Sequence, residues 1–155
     1  MSEPNLAPGL QLCTFRLGSL FLGVDVLDVQ EVLYHADVTS VPHAADAVSG
    51  LINLRGQIAT TIDLRTRLGV ESDDEPGRPT HVVVRSSGES VSLLVDRIGD
   101  VLEVDPDLYE APPETMDDAT RDLILGAYKL EEELLLILDV ARVVNIPLPT
   151  REEAA

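Results

Sequence analysis

This chain has no tryptophan, three tyrosines, two phenylalanines, one cysteine and a single lysine among 155 residues, and each shortage excludes something. With one cysteine, Cys13, no disulfide can form within the chain, so a reducing compartment is expected. So few aromatic rings leave no surface on which bases could stack. Eleven basic residues stand against 28 acidic ones, for a formal charge of −17. That balance opposes a phosphate-tracking surface, which needs clustered Lys and Arg, and it opposes anionic membrane as well. No apolar run approaches the roughly 20 residues that span a bilayer, and the N-terminus lacks the basic and apolar regions of a signal peptide. A cytoplasmic protein without nucleic-acid partners or membrane insertion is the expectation.

Catalytic chemistry is equally sparse. His35, His43 and His81 fall in three separate elements with no ligand spacing, and one cysteine makes no zinc pattern. Glycines are scattered, without a phosphate-cradling run. The patterned carboxylates, Asp25, Asp63, Asp96 and Asp139, all precede apolar segments, where capping a helical turn accounts for them. No convergent acid, base and nucleophile emerges, so neither catalytic residues nor a metal or cofactor are expected.

What the chain does contain is aliphatic. The apolar share of 45% consists mainly of Val, Leu, Ile and Ala, the material of β cores, and a chain of this length can bury about 70% of its unfolded surface. The pattern centres on Val41 to Leu68. Gly50-Leu51-Ile52-Asn53-Leu54 and Gln57-Ile58 onward read as two strands joined at Arg55-Gly56, where glycine suits a tight connection with positive φ. Asp63 then caps a short helix whose Leu64 and Leu68 form one apolar stripe.

Around that unit, Leu10–Leu17 and Leu20–Val24 read as a hairpin across Gly18-Ser19. Val26, Val29, Val32 and Leu33 recur at helical spacing behind Asp25 and Asp28, which predicts a helix of about three turns. Val38–Val41 reads as a short strand ending at Pro42. Gly69–Pro79 is acidic and rich in breakers, the best internal boundary. Strands resume at His81–Arg85 and Ser90–Val95, and Asp96 to Val104 carries Ile98, Val101 and Leu102. Ala111–Arg121 reads as an irregular loop. Ile124–Leu130 and Leu134–Leu138 read as strands, and Asp139 caps a last turn.

The halves repeat. Gly50, Leu54, Ile58, Ile62, Asp63 and Leu64 recur at one offset as Gly126, Leu130, Leu134, Leu138, Asp139 and Val140. Leu22-Gly23-Val24-Asp25 likewise echoes Leu93-Leu94-Val95-Asp96. Two similar small barrels in tandem, each mostly antiparallel, hide their strand edges most simply. At the turn, however, Asn53-Leu54-Arg55-Gly56-Gln57 faces Lys129-Leu130-Glu131-Glu132-Glu133. The equivalent unit folds without an arginine, which shifts weight for Arg55 from folding toward recognition, with a local carboxylate partner as the competing reading.

Several blocks then carry a resemblance: Phe15-Arg16-Leu17-Gly18, Leu22-Gly23-Val24-Asp25-Val26, Val29-Gln30-Glu31-Val32, Pro42, Gly50 to Gly56, Ile62-Asp63-Leu64-Arg65, Leu94-Val95-Asp96, and Ile137-Leu138-Asp139. In order and spacing the chain resembles the CheW-like chemotaxis coupling proteins over about residues 9–146. The resemblance implies a mainly β fold of two tandem SH3-like five-stranded barrels with short helices, intertwined within one domain and divided near residues 69–80, with residues 1–8 and 147–155 as flexible tails. It implies a stand-alone signalling adaptor between the cytoplasmic tips of methyl-accepting chemoreceptors and the regulatory domain of the histidine kinase CheA. By motif match the receptor-binding groove would include Val29 from the first helix, Glu31, Arg55, Ile98 and Val101, with Gly50, Asn53, Gly56 and Asp63 as structural positions. Thr60 stands where the family often has proline, and Glu131 to Glu133 add acid to the second turn. A small-molecule-binding double barrel, a hydrolase with a cryptic site and a coupling protein of a non-flagellar pathway are the alternatives.

Overall fold

The computed structural model describes residues 10–70 and 79–148. Most of the acidic loop and both ends of the chain, which the sequence reads as a boundary and as flexible tails, lie outside the described residues. The strands are β1 (Gln11–Leu17), β2 (Leu20–Asp25), β3 (Val29–Leu33), β4 (Val48–Leu54), β5 (Gln57–Asp63), β6 (Thr80–Ser86), β7 (Glu89–Val95), β8 (Arg97–Glu103), β9 (Tyr109–Glu110), β10 (Ile124–Lys129) and β11 (Leu134–Leu138). Three short helices, α1 (Leu64–Leu68), α2 (Asp118–Arg121) and α3 (Val140–Val143), complete a mainly β fold.

Two sheets result, in the orders β3-β6-β7-β5-β4 and β8-β1-β2-β11-β10-β9. Each is antiparallel except for one parallel pair, β5 with β7 and β11 with β2. The middle of the chain thus makes one sheet and its two ends make the other. The repeat is real, but the halves exchange hairpins: β1-β2 joins strands of the second half, and β6-β7 joins strands of the first. The loop after α1 connects β5 to β6 inside one sheet.

Register makes the repeat explicit. Gly50 pairs with Thr61 and Asn53 with Ile58, while Gly126 pairs with Ile137 and Lys129 with Leu134, every position displaced by 76 residues. A bulge precedes both glycines. At both sites a neighbouring segment lies where a Cβ would stand: the Thr39 carbonyl oxygen at Gly50, and the Tyr109 ring at Gly126. Asp63 and Asp139 both accept a backbone N–H of the helix that follows. Their own amides donate to Ala47 and Leu123, again 76 apart.

The hairpins repeat at a different displacement. Their two-residue turns join Leu17 to Leu20 and Ser86 to Glu89, so β1-β2 maps onto β6-β7 at 69 positions. The echo between Asp25 and Asp96 is therefore two residues out of register. Asp25 caps a single 3-10 turn by accepting from the Leu27 amide. Asp96 instead accepts from the Gly18 amide at 2.7 Å and takes Arg65 of α1 through Nε at 2.9 Å, tying one barrel's helix to the other's hairpin.

Three expectations change. Behind Asp25 the chain forms that 3-10 turn, Val26–Asp28, and then strand β3 in place of a helix. The reason lies in a bulge: Val29 pairs with Val84 and Val32 with Val82, so one extra residue puts apolar positions three apart on one strand face. Val38–Val41 provides only the isolated bridge between Thr39 and Leu51. The segment read as irregular up to Arg121 ends in the single turn α2.

The largest core is common to both sheets. Phe15, Leu17 and Leu22 from one pack with Ile62, Val82, Val84 and Leu93 from the other, together with Leu64, Leu68 and Val143 from α1 and α3. Smaller clusters sit in each barrel, around Ile52, Leu54, Ala59 and Val83, and around Leu12, Tyr128, Leu135 and Ile137. Arg67 adds hydrogen bonds from α1 to the Arg142 and Val143 carbonyls, each 2.8 Å.

Candidate functional site

The hairpin turn between β4 and β5 has two central residues, Arg55 with φ 52° and Gly56 with φ 92°. Positive φ at both positions is the geometry whose twist matches paired strands. Asn53 holds it by accepting from the Gly56 amide at 2.7 Å. So Asn53 and Gly56 serve the turn, and the turn aims Arg55 outward. Its side chain is 77% exposed, and Nη2 donates to Oε1 of the half-buried Glu31 at 2.5 Å. Both residues line a concavity of about 320 Å³ that Leu33, His35 and Ala36 also border.

Glu31 comes from β3, in the bulge opposite Val83. Val29, on the same strand rather than a helix, packs on the shared core. Ile98 and Val101 lie on β8, where Ile98 pairs with Phe15 and Val101 with Cys13. The hairpin mapping superposes Val84 on Phe15 and Val82 on Cys13. Val29 is consequently the counterpart of Ile98, and Val32 that of Val101, with a bulge at the matching point of each strand. Ile98 also packs on the shared core, whereas Val101 is 55% exposed. Ile98 borders a separate hollow of about 440 Å³ with Thr14, Arg16 and Phe21. Of the five residues, then, Glu31 and Arg55 touch, and Val29 and Ile98 share a core from symmetric positions.

β3 and β8 are also the crossing strands. β3 leaves the preceding β1-β2 hairpin to pair with β6, and β8 leaves β7 to pair with β1. Spacing in the sequence could not reveal this, since it follows from which sheet each strand joins.

Burial, helped by His35, pushes the His81 imidazole down, and its Nδ1 lies 2.9 Å from the Ser92 hydroxyl. Burial pushes the Cys13 thiol up. Among the described residues no cluster of three His, Cys, Asp or Glu side chains could hold a metal, and no helix is long and apolar enough to cross a membrane.

Comparison with known proteins decides the family. A CheW-like domain model matches residues 11–147. The chain belongs to the CheW-like family. It is 29% identical over 145 residues to a probable chemotaxis protein CheW of Rhizobium etli, covering 94% of this chain and 92% of that one. It is 30% identical over 141 residues to the chemotaxis protein CheW of Klebsiella aerogenes, covering 88% and 82%. In structure it is similar to the scaffolding protein TtCheW of Thermoanaerobacter tengcongensis, with a TM-score of 0.80 and 27% identity over 89% of this chain and 94% of that one. A CheW-like chain is a chemotaxis scaffold in signal transduction and not an enzyme, and its two sheets are the family's two SH3-like barrels.

Proposed function

We propose that this CheW-like chain works in the cytoplasm as the adaptor between chemoreceptor cytoplasmic tips and the regulatory domain of the kinase CheA, and that Val29, Glu31, Arg55, Ile98 and Val101 face the receptor. One observation carries the reading: Val29 and Ile98 occupy matching register positions on β3 and β8, the strands that cross between barrels. A receptor helix resting on both strands would contact both barrels at once. Its shifts would then bias how the scaffold presents the kinase, which is a coupling free energy between two sites. Exposed apolar Val101 would supply contact area, and the Glu31–Arg55 pair a charged, directional edge.

Calorimetry with a receptor tip fragment and a CheA regulatory domain from the same organism tests it. Saturable binding of both partners is expected. Arg55→Ala and Val101→Asp, both at exposed sites, should each weaken the receptor arm at least tenfold and leave the kinase arm unchanged. Equal binding of the receptor fragment by wild type and both variants would overturn the site assignment, and no binding of either partner would overturn the coupling role.

A further inference from the structure

The two barrels differ around one matched arginine, and the difference points to a second recognition site. In the β1-β2 barrel Arg16 pairs across the hairpin with Phe21 and lies 4.2 Å over its ring. Its Nη1 and Nη2 donate to the two carboxylate oxygens of Glu133 at 2.7 and 2.9 Å. Glu133 ends the turn before β11, so the chain itself supplies the acid that closes this end of the barrel. That hydrogen bonding holds the Glu133 carboxyl below the usual range.

The same mapping places Arg85 on Arg16, Ser90 on Phe21 and Gln57 on Glu133. Here glutamine stands at the position of the acid. Arg85 is exposed and makes no ion pair among the described residues; Nη2 reaches only the Gln30 amide oxygen at 3.3 Å, which also accepts from Ser90 at 2.6 Å. Gln57 and Arg85 instead line an open concavity of about 560 Å³, with Ile58 and Leu148 as apolar walls and Glu89 at its border. It shares none of the residues of the surface assigned above to the receptor.

We infer that this concavity receives an acidic segment of a partner protein, whose carboxylate takes on Arg85 the place that Glu133 takes on Arg16. The chain's own second barrel is the precedent for that chemistry: a fork of guanidinium donors matched to both carboxylate oxygens. An arginine without an ion pair among the described residues, beside the aliphatic wall of Ile58 and Leu148, selects a glutamate or aspartate flanked by a leucine-like side chain.

The test uses two acetylated, amidated tripeptides, Leu-Glu-Leu and Leu-Gln-Leu, titrated to millimolar concentration into the labelled full chain and followed by NMR. The glutamate peptide should shift the Arg85 Nε and the Ser90 and Gln57 amide resonances saturably, and the glutamine peptide should not. Arg85→Ala should weaken binding at least tenfold. Gln57→Glu should do the same by supplying the acid internally, with its fold verified by an unchanged melting transition or a higher one. Equal binding of both peptides, no binding of either, or Gln57→Glu binding as well as wild type would each overturn the inference. The receptor titrations are independent of these outcomes, because Arg55 and Val101 do not line this concavity.

Discussion

Arg55 and Glu31, 24 positions apart in the chain, form an ion pair whose two members are unequally exposed, 77% for the arginine side chain and 19% for the glutamate. An exposed pair of this kind adds only about 0 to 1 kcal/mol to folding, because water and salt screen it and two long side chains must be ordered. Conformation at Arg55 costs something as well, since a residue other than glycine at positive φ is strained. The carboxylate partner that competes with recognition as a reading of Arg55 is thus present, but it contributes little to stability, and the proposed receptor contact is tested separately.

Arg55→Ala and Glu31→Gln should each leave the melting temperature within about 3 °C of wild type, as expected for a change well under 1 kcal/mol in a chain of this size. In a double-mutant cycle the two losses of receptor affinity should not add, since each removes the same pair. Additive losses would mean that the two side chains act on the receptor separately.

Gly50 and Gly56 make a sharper contrast than their common place in one motif suggests. A Cβ on Gly50 would collide with the Thr39 carbonyl oxygen, whereas one on Gly56 would meet nothing within 4 Å. Gly50→Ala must push the bridging segment off β4 and should cost more than about 3 kcal/mol, an overpacking and strain effect at the upper end of its range. Gly56→Ala pays only for its positive φ, about 1 kcal/mol. Urea melts of the two variants check the order, and equal midpoints would refute it.

The Thr61 hydroxyl is buried on β5 and has no hydrogen-bond partner among the described residues. Leaving such a group unmade costs about 1 to 3 kcal/mol, while valine keeps the shape and the β-branching. Thr61→Val should raise stability by about 1 kcal/mol in a urea melt.

His81 gives the fold a predictable acid sensitivity. Burial and His35 lower its folded pKa from the ordinary 6.5, so the unfolded chain binds the proton more readily than the folded one. Stability is complete above about pH 6.5. It declines as pH falls below that value, by up to about 1.4 kcal/mol per unit, until the folded pKa is passed. Urea melts between pH 7.5 and 5 should show this slope, and His81→Gln should flatten it.

The local chemistry of this chain was legible in its sequence. Asp63 and Asp139 cap their helices because a carboxylate before an apolar turn has free amides to accept. The Arg55-Gly56 turn is tight because its central positions need positive φ. The displacement of 76 residues relating β4-β5 to β10-β11 is real because aliphatic residues at fixed spacing must fill equivalent barrels. Where the sequence misled, long-range pairing was the cause. The helix expected at Val29 is a bulged strand, since an inserted residue gives a strand the three-residue spacing of a helix, and only its partner β6 separates the two. Asp25 and Asp96 look alike in sequence, yet only Asp96 meets Arg65 and Gly18. The exchange of hairpins between halves likewise left no local trace, because each strand's amides and carbonyls can bond either neighbour and the shared packing of Phe15, Leu22, Val82 and Leu93 selects between them. For the same reason the residues at the two proposed surfaces could be named from the sequence only in part. Arg55 stood out at its turn, while the match of Val29 to Ile98 and of Arg85 to Arg16 exists only once the sheets have formed.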